Sequence, residues 1–174
     1  EEISRLEGVG KVQVFGALSA VDFGDAPTAP GYIEETLQRI EQYVTPIAAA
    51  GVVSLGMGGD HSVTLAELRA LASVHGPLGL VHLDSHTDLW DTYNGLPYSH
   101  GTVFRRAIDE GILDPARVIQ AGMRGSLYGE DDEALPAAAG VETIPWTELV
   151  ELTPDAFAAR ARERLGSGPV FFTF

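Results

Sequence analysis

The feature that most constrains this chain is a set of short runs that are apolar almost throughout: residues 52–57, 78–83, 118–123, 141–144 and 170–174. A strand that is apolar at every position, rather than at alternate ones, is covered on both faces. Between the runs the spacing changes to that of helices. Ile33, Leu37, Ile40, Val44 and Ile47 recur every three or four residues, with Glu34, Glu35, Gln38, Arg39 and Glu41 between them, which is one apolar stripe on a helix. Pro46 is expected to kink or restart that helix, and Gly51 to end it. Residues 63–74, 102–110, 131–139 and 154–165 read as further helices, residues 12–15 and 20–22 as short strands or loops, and 126–132 as the most mobile loop. Strands alternating with helices predict an α/β fold, three layers (α-β-α) around a mainly parallel sheet. The length of 174 residues suits one domain over 1–174.

Composition narrows the chemistry. A net charge of −14 argues against a nucleic-acid partner, which needs a basic face. The absence of cysteine excludes disulfides, thiolate metal sites and thiol nucleophiles. No apolar run reaches the length of a membrane span, so no membrane partner is expected.

In a parallel sheet, ligands collect at the carboxyl ends of the strands. The run 52–57 leads into Gly58-Gly59-Asp60-His61-Ser62, and the run 78–83 into Asp84-Ser85-His86-Thr87-Asp88. Three carboxylates and two imidazoles therefore gather at neighbouring strand ends, with no Lys or Arg close in sequence. Crowded carboxylates are costly, and a divalent cation removes the cost. Imidazole with carboxylate suits manganese, zinc, iron or nickel. On an extended strand end, Asp84, His86 and Asp88 would share one face. With His61 they would make part of a two-metal site able to activate water at neutral pH. Either motif alone is as readily a capping turn, with Ser62 as the helix cap. It is the clustering of both that favours a metal. His82, inside an apolar run, reads as a buried, hydrogen-bonded histidine. Arg124 is expected in an ion pair or in the crevice. Trp90 and Tyr93 are expected to line the entrance, where ring faces can hold a guanidinium, or simply to pack the loop.

The segments 58–62 and 84–88 resemble the first two signatures of the ureohydrolase family, the arginases and agmatinases. Trp90-Asp91-Thr92-Tyr93, Tyr98-Ser99-His100-Gly101-Thr102-Val103-Phe104 and Gly122-Met123-Arg124-Gly125-Ser126 resemble the agmatinase branch. The resemblance runs from about residue 21 to Phe174. It implies an arginase/deacetylase-like fold and hydrolysis of a guanidino compound to urea and an amine, with two manganese ions (Mn2+) per complete chain. Agmatine, giving putrescine in polyamine biosynthesis, is the first expectation. A guanidino acid such as guanidinobutyrate, or an inactive truncated subunit, is the alternative. The implied partners are a small cationic guanidino substrate and further copies of the chain, as a trimer or hexamer in the cytoplasm.

Carried over by residue, the resemblance gives one metal to His61 and the other to His86. It places Asp84 and Asp88 between the metals, and makes His100 or Asp88 the group that passes a proton to the leaving amine. His100, Trp90 and Tyr93 would meet the substrate, and Asp60 would orient its neighbours. Ser85 stands where the family usually has Ala. The family's third signature, Asp-x-Asp-x-x-Asp-Pro, supplies its remaining ligands and is expected directly after residues 170–174. The chain is therefore expected to be an internal fragment, truncated at both ends, that binds metal weakly and turns over little.

Overall fold

The computed structural model describes residues 12–15, 18–127, 129 and 132–174. Two short strands, β1 (Val12–Phe15) and β2 (Leu18–Val21), pair antiparallel, from Val12 opposite Val21 to Phe15 opposite Leu18. The rest mixes helices with strands of a second sheet. In order come α1 (Ile33–Ala49), α2 (Val63–His75), β3 (Leu78–Leu83), a one-turn 3₁₀ helix (His100–Thr102) and α3 (Val103–Asp109). β4 (Leu113–Met123), α4 (Leu135–Ala139), β5 (Glu142–Pro145), α5 (Trp146–Leu149), α6 (Pro154–Leu165) and β6 (Val170–Thr173) follow. The main sheet has the order β5-β4-β3-β6 and is parallel throughout.

Period-two alternation along β3 and β4 divides the core in two. Leu78, Leu80 and Val118 face one side with Phe104, Leu37, Leu65 and Leu68, under α1, α2 and α3. Val81, Ile119, Ala121 and Ile144 face the other, against Ala161 and Leu165 of α6. These are the three layers that uniformly apolar strands demand. Phe104 is fully buried, and truncating it to Ala would cost about 3–5 kcal/mol.

Some expectations fail. Residues 52–57 form no strand: Val53 is 99% exposed, Leu55 82% and Met57 95%. The run has strand composition, but among the described residues no neighbouring strand pairs with it. A strand's backbone donors and acceptors are satisfied only by a partner. Pro46 does not break α1, which runs unbroken to Ala49. Proline sits there in the last turns, where few backbone bonds remain to be lost. β4 begins five residues before the expected run, at Leu113 rather than 118. The single turn α5, after Pro145, carried no periodic signal. The expected helix 131–139 is ordered only from Leu135 to Ala139. Part of the loop expected at 126–132 lies outside the described residues.

Candidate metal centre

The turn before α2 delivers the first imidazole. Asp60 Oδ1 accepts the Ser62 backbone N–H at 2.8 Å, an Asx turn that fixes the Gly-Gly-Asp-His-Ser corner. Ser62 occupies the N-cap position, yet its side chain makes no capping bond. The turn points the His61 ring into the molecule. There Nδ1 lies 2.6 Å from Asp88 Oδ2 and Nε2 lies 3.1 Å from Thr173 Oγ1 on β6.

Asp84 directly follows β3. Its Oδ1 accepts the His86 backbone N–H at 2.8 Å, which turns the chain sharply. The extended geometry expected for Asp84, His86 and Asp88 is therefore absent. The strand ends at Leu83, and Asp88 adopts φ 52°, a left-handed conformation that Asp tolerates better than most residues. Asp84 and Asp88 still converge, but His86 does not join them. His86 is half exposed, its Nδ1 3.0 Å from Ser85 Oγ and 3.4 Å from Asp84 Oδ1. The carboxylates bond where the turn sends them, not where strand alternation would.

The resulting cluster is His61, His82, Asp84 and Asp88, with ligand atoms all within 4.8 Å of one another. His82, read from sequence as a buried strand residue, is fully buried. Its Nε2 lies 3.5 Å from Asp84 Oδ2. Among the described residues no Lys or Arg pairs with Asp84 or Asp88. Two carboxylates whose charge is met by imidazoles alone form an oxygen- and nitrogen-rich donor set that fits a divalent ion such as manganese.

The electrostatics agree with crowding of unlike groups. Burial would push the His61 pKa down, but the hydrogen bond and charge of Asp88, with the charges of Asp84 and Asp60, outweigh it and raise it. Burial would raise Asp84. The His82 contact and the backbone N–H groups of His86 and Ser85 outweigh that and hold its carboxyl well below the usual range. Burial pushes the His82 pKa down, although Asp84 and Asp88 favour the charged ring.

Around the cluster stand the aromatic residues singled out by sequence. Trp90 and Tyr93 stack at 5.7 Å with an interplanar angle of 19°, and Tyr93 meets His100 edge-on at 4.9 Å. His100 is half exposed, its Nδ1 4.0 Å from Asp60 Oδ2. On the far side of His86 a cavity of about 360 Å³ is lined by His86, Trp90, Arg124, Asp132 and Glu133 among others. Arg124 makes no ion pair among the described residues. It lies over the Trp146 ring at 4.9 Å and donates to the Gly122 carbonyl at 2.7 Å.

The sequence matches the Arginase family over residues 2–174. The chain belongs to the arginase family. It is 44% identical over 171 residues to a guanidinopropionase of Pseudomonas aeruginosa, covering 98% of this chain and 54% of that protein. It is 39% identical over 160 residues to a mitochondrial agmatinase of Gallus gallus, covering 92% and 47%. Among solved structures, the proclavaminate amidino hydrolase of Streptomyces clavuligerus superposes with a TM-score of 0.79 at 38% identity, covering 87% of this chain and 50% of that one. The chain spans about half the length of the curated relatives it matches.

Sequence reading passed over two residues that touch the cluster, Gln120 beside His82 and Thr173 beside His61. Gln120 was hidden in the apolar run 118–123, though a lone amide between Ile119 and Ala121 was a visible anomaly. Thr173 looked like one strand residue among others. Its contact with His61 depends on which strand lies beside β3, and that is a tertiary fact.

Proposed function

We propose that this chain forms part of a ureohydrolase that cleaves the C–N bond of a small linear guanidino compound to urea and an amine, with two manganese ions at the His61–Asp84–Asp88 centre. The observation that carries this reading is the convergence of imidazole and carboxylate ligand atoms within 4.8 Å, with no Lys or Arg among the described residues paired to them. Manganese held there would lower the pKa of water and polarise the guanidinium. Asp84 and Asp88 would be the principal ligands, with His61 on one side and His86 able to swing in from its exposed position beside Asp84. Asp88 and His61 share a 2.6 Å hydrogen bond in the metal-free protein, which holds the two donor groups side by side. His100, half exposed beside Asp60, would hand a proton to the departing amine. The stacked Trp90–Tyr93 pair offers ring faces to the cationic guanidinium.

For the tail of the substrate we favour a guanidino acid. Arg124 lines the cavity beside His86 and has no carboxylate partner among the described residues, and a planar guanidinium suits a carboxylate. The 44% identity to a guanidinopropionase supports the same reading. Agmatine is the second reading, favoured by Asp132 and Glu133 on the same cavity wall, which suit an ammonium tail. Urea release by the complete protein from 3-guanidinopropionate, 4-guanidinobutyrate and agmatine, with manganese, tests both. Turnover of the acids, lost on Arg124→Ala, is the expected result. Turnover of agmatine alone overturns the tail assignment, and no urea from any of them overturns the ureohydrolase reading.

A further inference from the structure

The buried amide of Gln120 meets two neighbours through one nitrogen. Its Nε2 lies 2.6 Å from the Thr87 carbonyl oxygen and 3.1 Å from His82 Nδ1. The first contact settles which end of the amide is which. If the amide were reversed, its oxygen would face the Thr87 oxygen at 2.6 Å, two acceptors with no proton between them. The nitrogen must therefore face Thr87, and an amide nitrogen has two hydrogens. One goes to the Thr87 carbonyl. The other points at His82 Nδ1, which must accept it and cannot carry a proton of its own. The ring proton is then on Nε2.

The ring orientation follows in the same way. Turning the ring over would put carbon where Nδ1 and Nε2 now stand, losing the contacts with both Gln120 and Asp84. The register of the sheet holds the partners together: His82 on β3 lies opposite Gln120 on β4 and opposite Thr173 on β6, all in one cross-strand row. His82 Nε2 is buried without a close acceptor, and Asp84 Oδ2, 3.5 Å away, faces it. That distance is long for a hydrogen bond. Among the described residues the N–H has no bonded acceptor, and the Asp84 carboxylate lies at the edge of hydrogen-bond reach.

We propose that Gln120 is a positioning residue: oriented by the Thr87 carbonyl, it locks His82 in the Nε2–H tautomer, so that His82 donates to Asp84 and orients that carboxylate toward metal. The lock also removes His82 from the ligand set, although its ring nitrogen lies within the cluster. A protonated Nε2 has no lone pair for an ion. Partners that stand behind a ligand in this way commonly change metal affinity about 10–100-fold when removed. The proposal rests on the metal reading above.

The first test needs no variant. A long-range 15N–1H spectrum of the metal-free protein, with His82 assigned by its loss in His82→Gln, should show the Nε2-protonated pattern for His82. An Nδ1-protonated ring overturns the proposal. The second test is manganese affinity by calorimetry. Gln120→Met keeps the length of the side chain and removes both donors. It should weaken manganese about tenfold to a hundredfold. The loss should vanish in a His82→Gln background, because that glutamine supplies its own N–H to Asp84 and needs no tautomer set. Equal losses in both backgrounds would mean that Gln120 merely packs, and would overturn the proposal. If the unaltered protein takes up no manganese, the metal reading fails instead, and the tautomer spectrum still decides the assignment of Gln120.

Discussion

At the scale of single residues, the cluster turns on proton occupancy. His61 must be neutral to bind a metal ion, yet in the metal-free protein its pKa is raised above the ordinary 6.5. Manganese affinity should therefore fall as pH drops through a value above 6.5, and calorimetry across that range reads it directly. The sign for stability is the opposite. The His61–Asp88 pair stabilises the metal-free fold fully below the unfolded value and loses that contribution as pH rises through the raised folded value. Thermal melts with and without manganese should diverge as pH rises. Asp88→Asn should weaken manganese at least as much as loss of a supporting partner does, about 10–100-fold or more. An unchanged affinity would remove Asp88 from the ligand set. Much of this was legible beforehand, since His61, Asp84 and Asp88 come from two short motifs whose chemistry is uncommon elsewhere. What the motifs could not tell was that the Asp84 carboxylate would take the His86 N–H and turn that imidazole outward. A local hydrogen bond two residues long decided against the spacing rule.

At the scale of elements, two glycines set how closely the pieces approach. Gly122, near the end of β4, has φ 96°, and a Cβ there would stand 2.9 Å from the Asp84 carbonyl oxygen. Gly122→Ala should cost about 1–3 kcal/mol and push the β3 end out of place, measurable as a lower denaturation midpoint together with weaker manganese binding. Gly101, at the 3₁₀ turn, lets Trp90 pack against its backbone; a Cβ would fall 2.3 Å from that ring. Gly101→Ala should displace the Trp90–Tyr93 stack, visible as a change in tryptophan fluorescence. Elements with one strong period were readable. α6 runs from Pro154 to Leu165 and β3 from Leu78 to Leu83, as the pattern predicts. Residues 52–57 were not, because apolar composition states a preference for burial and says nothing about which strand will supply the partner. β5 follows the apolar run 141–144 closely, whereas α5, which abuts it at Pro145 and Trp146, is too short for a period to develop.

At the scale of the whole molecule, several large apolar side chains stand exposed. Val53, Leu55 and Met57 are joined in exposure by Phe172 and Phe174, the last 88% exposed. Exposed apolar surface of this kind associates. The 174-residue chain in isolation should bind a hydrophobic dye and sediment as oligomers, and Phe172→Ser with Leu55→Ser should reduce both. A monomer that ignores the dye would contradict this. The net charge of −14 should also speed capture of cationic ions at low salt. The bond from His61 to Thr173 spans 112 residues and ties the turn before α2 to β6. Such long-range closure comes late in folding. Metal capture is thus a clock: on a ribosome, the nascent chain could emerge with both motifs and still hold an unfinished pocket until β6 arrives.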